Sequence, residues 1–220
     1  MAAAEVAGND TGTVRYRCRR KSDDPTPREI NREQRFEQIL HAANACFSRQ
    51  GFHRTSMCDI AREAGISVGH LYNFFESRDA IVEVFAQREL IHIRERARMN
   101  EQSPLSQEEV CRRAVYDLAL SKLDKVAARI TFEILSESLV NERIRRAVQR
   151  YDAAWHEVLL PVYMKGGRLT KEEALVKLEA DLALIDGLYF RVLGNEEVDR
   201  ERLAREVSER IWRSLSMANR

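Results

Sequence analysis

The sequence predicts an all-α fold, and three observations lead to that prediction. Only nine Gly and four Pro occur among the 220 residues, about half the usual combined share of these turn-forming residues. Charged residues make up 32% of the chain, above the average of about 25% and typical of solvated helix faces. Apolar residues recur at three- and four-residue spacing, and no stretch alternates in the manner of a strand.

The first 30 residues show no helical periodicity and are expected to form a flexible basic arm. They end near Pro25-Thr26-Pro27, and the segment from Arg15 to Lys21 carries five basic residues and no acid. Such an arm either inserts into a DNA minor groove or is an ordinary solvated tail, which is the commoner case for a charged terminus.

Four helices are predicted within residues 31–99. Asn31 and Gln34 form a cap pair that begins the first helix, and Gly51 ends it in a left-handed cap. The second and third helices are very short, and the third runs from Val68 to about residue 75. The N-caps predicted for the second, third and fourth helices are Thr55 or Ser56, Ser67 and Ser77.

Five longer helices are predicted beyond Pro104. Capping boxes begin the first and the fourth of them, where Ser or Thr precedes a Glu by three residues. Asn141 caps the third, and Gly166-Gly167 separates the third from the fourth. The predicted ranges are 106–120, 122–140, 141–165, 170–193 and 199–216.

The segment from Thr55 to Phe74 has the pattern of a DNA-binding helix-turn-helix. Gly65 lets the chain turn sharply, and Ser67 caps the second helix so that its first turn faces outward. The free N–H groups and the dipole at that end attract phosphate, and small or polar side chains allow close approach to the major groove. Structural helix pairs share this pattern, so the pattern alone is only moderately specific.

The surrounding residues make the prediction much more specific. The chain resembles the TetR/AcrR family of bacterial transcriptional regulators over about 50 residues without a gap. The resemblance rests on Ile39-Leu-His-Ala-Ala-Asn-Ala-Cys-Phe47, Gly51-Phe52, Thr55-Ser56, Ile60-Ala61, Ala64-Gly65-Ile66-Ser67, Leu71-Tyr72-Asn73-Phe74-Phe75 and Ser77-Arg78-Asp79-Ala80-Ile81. It implies an all-helical homodimer with a DNA-binding domain at residues 31–91 and a ligand-binding and dimerisation domain at residues 92–220.

The resemblance also implies which residues contact DNA. Phosphate would be contacted at the start of the second helix and at the start of the fourth, where Arg78 stands in place of the usual Lys. Bases would face the third helix, and Tyr72 would contact phosphate or a base edge. The full predicted set is Thr55, Ser56, Ser67, Val68, Gly69, His70, Tyr72, Asn73 and Arg78. His70 and Asn73 depart from the family's usual residues, so the preferred DNA sequence does not transfer.

Helix 122–140 is apolar on two sides and is therefore expected to be buried on two sides, beside a possible cavity. Glu137 is a weak candidate for binding a cationic ligand, although a salt bridge to an Arg of a neighbouring helix is the commoner role of such an acid. Cavity-lining residues and ordinary core residues look alike here, so the ligand-binding residues stay unassigned. One face is lined by Leu123, Val126, Ile130 and Ile134, and the other by Phe132, Leu135 and Leu139.

Helix 170–193 is also apolar on more than one side, which indicates a partner chain. Asp186-Gly187-Leu188 resembles a short motif of this family's penultimate helix, where Gly permits close helix approach. With the final helix it would form a four-helix dimer interface. The predicted interface residues are Leu184, Gly187, Phe190 and Ile211.

Enzyme activity is not predicted, and neither catalytic residues, cofactors nor a metal site are assigned. Glu89 and His92 have the spacing of a helical di-iron motif, but that chemistry needs two such motifs. The four cysteines form no CxxC pair, so a zinc knuckle is not encoded. The net charge of +1 gives no general attraction to nucleic acid or membranes. No signal peptide or membrane-spanning run is visible, so a cytoplasmic location is expected.

The sequence therefore predicts a sequence-specific DNA-binding regulator. The expected form is a dimeric repressor that an unidentified small-molecule effector releases from a palindromic operator, with helix 77–99 connecting the two domains. The partners expected are operator DNA, a second copy of the chain and the effector, with no membrane. An activator remains open, and so does a helical adaptor that does not bind DNA. The sequence does not predict the effector, the operator or the regulated genes.

Overall fold

The computed structural model describes residues 26–165, 167–195 and 197–219, with side chains up to Ser216. These residues form nine α-helices and no strand, which confirms the predicted all-α class. The predicted basic segment from Arg15 to Lys21 lies outside the described residues. The helices are α1 Pro27–Gln50, α2 Met57–Glu63, α3 Val68–Tyr72, α4 Arg78–Glu101, α5 Gln107–Lys122, α6 Lys125–Ser138, α7 Glu142–Met164, α8 Lys171–Gly194 and α9 Arg200–Asn219.

Helix α1 begins at Pro27 and not at Asn31 as the cap pair predicted. Thr26 is the cap: its Oγ1 accepts from the N–H of Glu29 at 3.3 Å, and the Glu29 carboxylate accepts from the N–H of Thr26 at 2.8 Å. Proline is favoured at the first helical position because its missing N–H would have no helical partner there. Pro27, which suggested the end of a loop, therefore marks the start of a helix.

Most of the other predicted caps are confirmed. Ser56, Ser67, Ser77 and Asn141 each accept hydrogen bonds from the first turn of their helix, and two further helices begin with capping boxes. Some boundaries differ by up to three residues, and α9, for example, continues to Asn219. Helix α3 ends at Tyr72, and α6 begins after an Asp124 cap because residues 122 and 123 complete the end of α5.

The N-terminal apolar core joins α1–α4 to two helices of the C-terminal half. Phe47 is buried in it, and its ring centre lies 5.6 Å from that of Phe52 and 6.3 Å from that of Phe85. Ile144 of α7 is fully buried in this core, and Ile130 and Ile134 of α6 pack against it. Of the predicted apolar face of α6, Ile130 and Ile134 are therefore partly buried against this core, whereas Val126 is 39% exposed and Leu123 belongs to the end of α5.

A second apolar core combines α5, α8 and α9 with residues from α6 and α7. Ala128 of α6 is fully buried in it, but the rest of that second α6 face is exposed, with Leu139 at 79%. The expectation that α6 is buried on both sides is therefore wrong within one chain. In the part of the chain that the structure describes, no helix combines the length and apolarity needed to cross a bilayer.

Candidate DNA-binding site

The turn between α2 and α3 is built by local backbone hydrogen bonds. Gly65 has a φ of +63°, a conformation that glycine adopts without a steric cost. The N–H of Ile66 reaches back to the carbonyl of Ala61 at 3.0 Å and closes the end of α2. Ile60 and Leu71, both fully buried, anchor the two helices to the core. The angle between α2 and α3 is therefore set by a short turn and by buried contacts.

Helix α3 turns a set of small and polar side chains toward solvent. Tyr72 is 52% exposed, and Ser67 accepts from the N–H of His70 at 3.1 Å. The His70 ring lies 5.5 Å from that of Phe74. Val68 differs from the rest of the predicted base-facing residues, since it is half-buried against the core. The exposed members of the predicted set on and beside α3 are Ser67, Gly69, His70, Tyr72 and Asn73.

Thr55 and Ser56, offered as alternatives for a phosphate contact, lie in different environments. Thr55 is 1% exposed, and its hydroxyl donates to the carbonyl of Gly51 at 2.7 Å. A phosphate contact by Thr55 is therefore a wrong prediction, because the hydroxyl is used inside the turn. Ser56 is exposed and caps α2. Its side-chain hydrogen bond with Asp59 is the main cause of the lowered pKa of that carboxyl.

Arg78 has a structural role that the sequence did not reveal. Its Nη1 donates to the carbonyls of Phe52, His53 and Thr55 at 2.8, 3.1 and 3.0 Å. Its guanidinium also lies 4.0 Å from the centre of the Phe52 ring. The first residue of α4 thus holds the turn that precedes α2. Its contact with phosphate stays a prediction.

Glu137 lies at the contact between α6 and the turn after α1. Its carboxylate accepts from Asn141 Nδ2 at 3.1 Å and lies 3.7 Å from His53 Nδ1. Its partners are thus an Asn and a His, where sequence reasoning favoured an Arg. The suggestion that Glu137 binds a cationic ligand is not supported by this position.

Three of the four predicted interface residues share an exposed face of α8. Phe190 is 64% exposed, Leu184 is also exposed, and a side chain at Gly187 would meet no atom within 4 Å. Val176, two turns or more before them, is 71% exposed. Ile211 of α9 is only 2% exposed within the single chain. Its assignment to the interface is wrong, because it packs in the chain's own second core.

A buried lysine in the C-terminal half was missed by sequence reasoning. Lys122 Nζ donates to Asp186 at 2.9 Å and lies 4.6 and 5.8 Å from the ring centres of Tyr189 and Tyr151. Burial by itself lowers the pKa of Lys122, but these three neighbours outweigh burial and raise it. The ammonium therefore stays charged inside the domain. A lone Lys at a helix end carries no sequence signal for such a position.

Comparisons with known proteins agree with this architecture. Residues 39–85 match the family model described as "Bacterial regulatory proteins, tetR family", and residues 111–215 match "BetI-type transcriptional repressor, C-terminal". The regulator HbdR of Aromatoleum sp. is 44% identical over 50 residues, which are 23% of this chain and 22% of HbdR. The regulator BetI of Serratia proteamaculans is 24% identical over 162 residues, covering 71% of this chain and 80% of BetI.

The first curated relatives match over a small part of their length, from 22% to 30%. Among solved structures, the fatty acid degradation regulator FadR from Bacillus halodurans superimposes with a TM-score of 0.68 at 18% identity. The superposition covers 86% of this chain and 97% of the FadR chain, and this agreement supports the fold. With one family model on the helix-turn-helix and a second on α5–α9, the chain belongs to the TetR family of bacterial helix-turn-helix transcriptional regulators.

Proposed function

We propose that this regulator is a homodimeric repressor whose α3 enters the major groove of a palindromic operator. The observation that carries the proposal is the division of α3 into two sides. Leu71 is fully buried, whereas Gly69, His70, Tyr72 and Asn73 are exposed. A helix that packs on the core with one side and exposes hydrogen-bonding side chains on the other is suited to reading base edges. In this proposal residues 31–91, extended back to the start of α1, form the DNA-binding domain and residues 92–220 the ligand-binding and dimerisation domain.

The proposed DNA contacts follow from exposure and position. Ser56 and Tyr72 contact phosphate, while His70 and Asn73 reach base edges, and Gly69 lets the backbone approach the groove. Arg78 serves the site mainly by holding the turn before α2, with any phosphate contact added to that role.

The proposed dimer joins the exposed apolar face of α8 to the same face of a second copy. Phe190 and Val176 are large apolar residues that are 64% and 71% exposed among the described residues of one chain, and such faces mark interfaces. Gly187 permits close approach of two helices, since the space beside it is open. A two-fold dimer presents two copies of α3, so the operator is palindromic, with half-sites spaced by one or more helical turns.

The proposed effector is a small molecule that binds the C-terminal domain and releases the protein from DNA. It shifts the dimer between two forms only by the difference in its affinity for them. Helix α4 begins beside the helix-turn-helix at Arg78 and ends at Glu101, so it connects the two domains. The BetI-type match of residues 111–215 to a repressor domain favours repression over activation.

Selection from random duplex DNA at near-physiological salt tests the proposal. We expect the purified protein to recover a palindrome, and a His70→Ala/Asn73→Ala variant of the same dimer to lose it. Both substituted residues are exposed, so the variant should fold normally. Recovery of no motif, with only salt-sensitive background binding, would contradict the proposal and favour an adaptor that does not read DNA.

A further inference from the structure

Three charged residues of α6 face the turn that leads into the helix-turn-helix. Arg129, Glu133 and Glu137 are spaced by four residues, which places them on one side of the helix. They belong to the C-terminal half in sequence, yet each is positioned against residues of the N-terminal half.

Arg129 contacts the end of α1. Its Nη2 donates to the carbonyl of Ser48 and lies 3.5 Å from that of Phe47. These carbonyls lie in the last turn of α1, at the negative end of the helix dipole, and the Phe47 carbonyl also accepts from the N–H of Gly51 at 2.9 Å. A guanidinium is well matched to that end of a helix because it supplies both charge and donors.

Glu133 contacts the residues that follow α1 in the chain. Its carboxylate accepts from the N–H of His53 at 2.9 Å. It also fills the space beside Gly51, where a Cβ would lie 2.4 Å from Glu133 Oε1. Gly51 has a φ of +87°, so glycine is required there both for the backbone conformation and for the approach of this carboxylate.

The same turn is held from a second direction by Arg78 of α4, which donates to three of its carbonyls. Ser56 then begins α2 directly after this turn. The backbone that enters the helix-turn-helix is thus hydrogen-bonded to α4 and to α6 at once. Helix α6 also places Ala128 in the C-terminal core, so it contacts the cores of both halves.

We infer that Arg129 and Glu133 are positioning residues for operator recognition. They set the orientation of the helix-turn-helix relative to the C-terminal domain, and in a dimer that orientation sets the distance between the two α3 helices. A change in the C-terminal core that moves α6 would therefore alter half-site spacing through this contact, in addition to the connection through α4. The inference rests on the proposed function.

A test follows from the preference of a dimer for one spacing between half-sites. If Glu133 holds the orientation, its loss should flatten the dependence of affinity on spacer length. A purely structural contribution would instead reduce the affinity for all spacers by the same factor. The experiment takes the palindrome selected by the wild type and shortens or lengthens its spacer one base pair at a time.

Binding is then measured for the wild type, Glu133→Ala, Glu133→Gln and Arg129→Met. For Glu133→Ala we expect about tenfold weaker binding at the best spacer, the size typical of losing a hydrogen bond to a charged group, and a smaller difference between best and worst spacers. Glu133→Gln keeps an oxygen that can accept from the N–H of His53, so its affinity should lie between those of the wild type and Glu133→Ala. Glu95→Ala, which removes an exposed acid of α4 away from these contacts, is the control and should equal the wild type.

The outcomes separate the inference from the proposed function. A wild type that selects no DNA overturns both. A wild type with a clear spacer preference that Glu133→Ala and Arg129→Met retain unchanged overturns the inference and leaves the proposed function standing. If Glu133→Ala fails to form a dimer, Arg129→Met decides, because it keeps most of the side-chain stem and removes only the donors.

Discussion

The two surfaces proposed to meet partners, on α3 and on α8, differ in length and chemistry. Helix α3 has five residues and exposes small and polar side chains. Helix α8 has 24 residues and exposes large apolar ones such as Val176 and Phe190. A surface that alternates between water and DNA needs groups that hydrogen-bond in both states, whereas a surface that stays covered can be apolar. By this chemistry α3 suits a reversible contact and α8 a lasting one.

The largest expected effect is on α8. Phe190→Asp should weaken the dimer by at least about 100-fold, because an unpaired carboxylate would be buried at the centre of the interface. The monomer should stay folded, since the side chain is mostly exposed within one chain. Sedimentation at several concentrations measures the change. Leu139→Asp, at the even more exposed apolar residue that follows α6, is the matched control and should leave the dimer intact; loss of the dimer in both would contradict the assignment to α8.

Substitution of Arg78 tests whether the turn before α2 must be held in place for α3 to bind DNA. Arg78→Ala should lower the free energy of unfolding by about 2–3 kcal/mol, because three carbonyls lose their donor and the Phe52 ring loses its cation. Operator affinity should fall as well. Thermal unfolding at one fixed dimer concentration, with binding measured in parallel, checks both. Weaker binding with unchanged unfolding would mean that Arg78 acts mainly on phosphate.

Substitution of Tyr72 tests the proposed contact between α3 and DNA. Tyr72→Phe should weaken operator binding by about 1 kcal/mol, the size of one lost hydrogen bond, with the dimer and its unfolding unchanged. Fluorescence anisotropy with the selected duplex measures this difference. Tyr116→Phe, in the C-terminal core region, is the matched control. Equal affinity of Tyr72→Phe and the wild type would remove the hydroxyl from the DNA contacts.

The smallest expected effect is a pH dependence confined to the C-terminal half. The pKa of His156 is raised mainly by the hydrogen bond of its ring to the Asp152 carbonyl. The Glu179 carboxylate, which lies 2.7 Å from His156 Nε2, raises this pKa further. Because the folded pKa lies above the unfolded value, this contact stabilises the fold below the unfolded pKa of about 6.5. That contribution is lost as the pH rises through the folded pKa.

His156→Gln should remove this dependence, as followed by chemical unfolding from about pH 5.5 to pH 8.5. Operator affinity at a fixed dimer concentration should not change with the substitution, because His156 lies between α7 and α8. An identical pH profile in the wild type and the variant would show that the contact does not contribute to stability.

Local signals in the sequence determined the helices and the outline of the site. Ser67 and Ser77 could be recognised as caps because each accepts from a backbone N–H only three residues ahead. Gly65 and Gly51 could be recognised as turns because a positive φ is a property of one residue. The family resemblance then predicted that α3 reads DNA, and the family matches bear out the membership of the family.

The partners of the longer side chains depend on the packing of distant helices. Arg78 reaches a carbonyl 26 residues earlier in the chain, and Glu133 an N–H 80 residues earlier. Ile211 fits a core face or a partner face equally well by periodicity, and burial within one chain settled its place. Periodicity records that a face is apolar and does not record what covers it, because the covering residues come from distant helices. Most caps and turns, those that begin α1 and α6 excepted, were therefore determined by the sequence alone, and the partners of Arg78, Glu133 and Ile211 by packing.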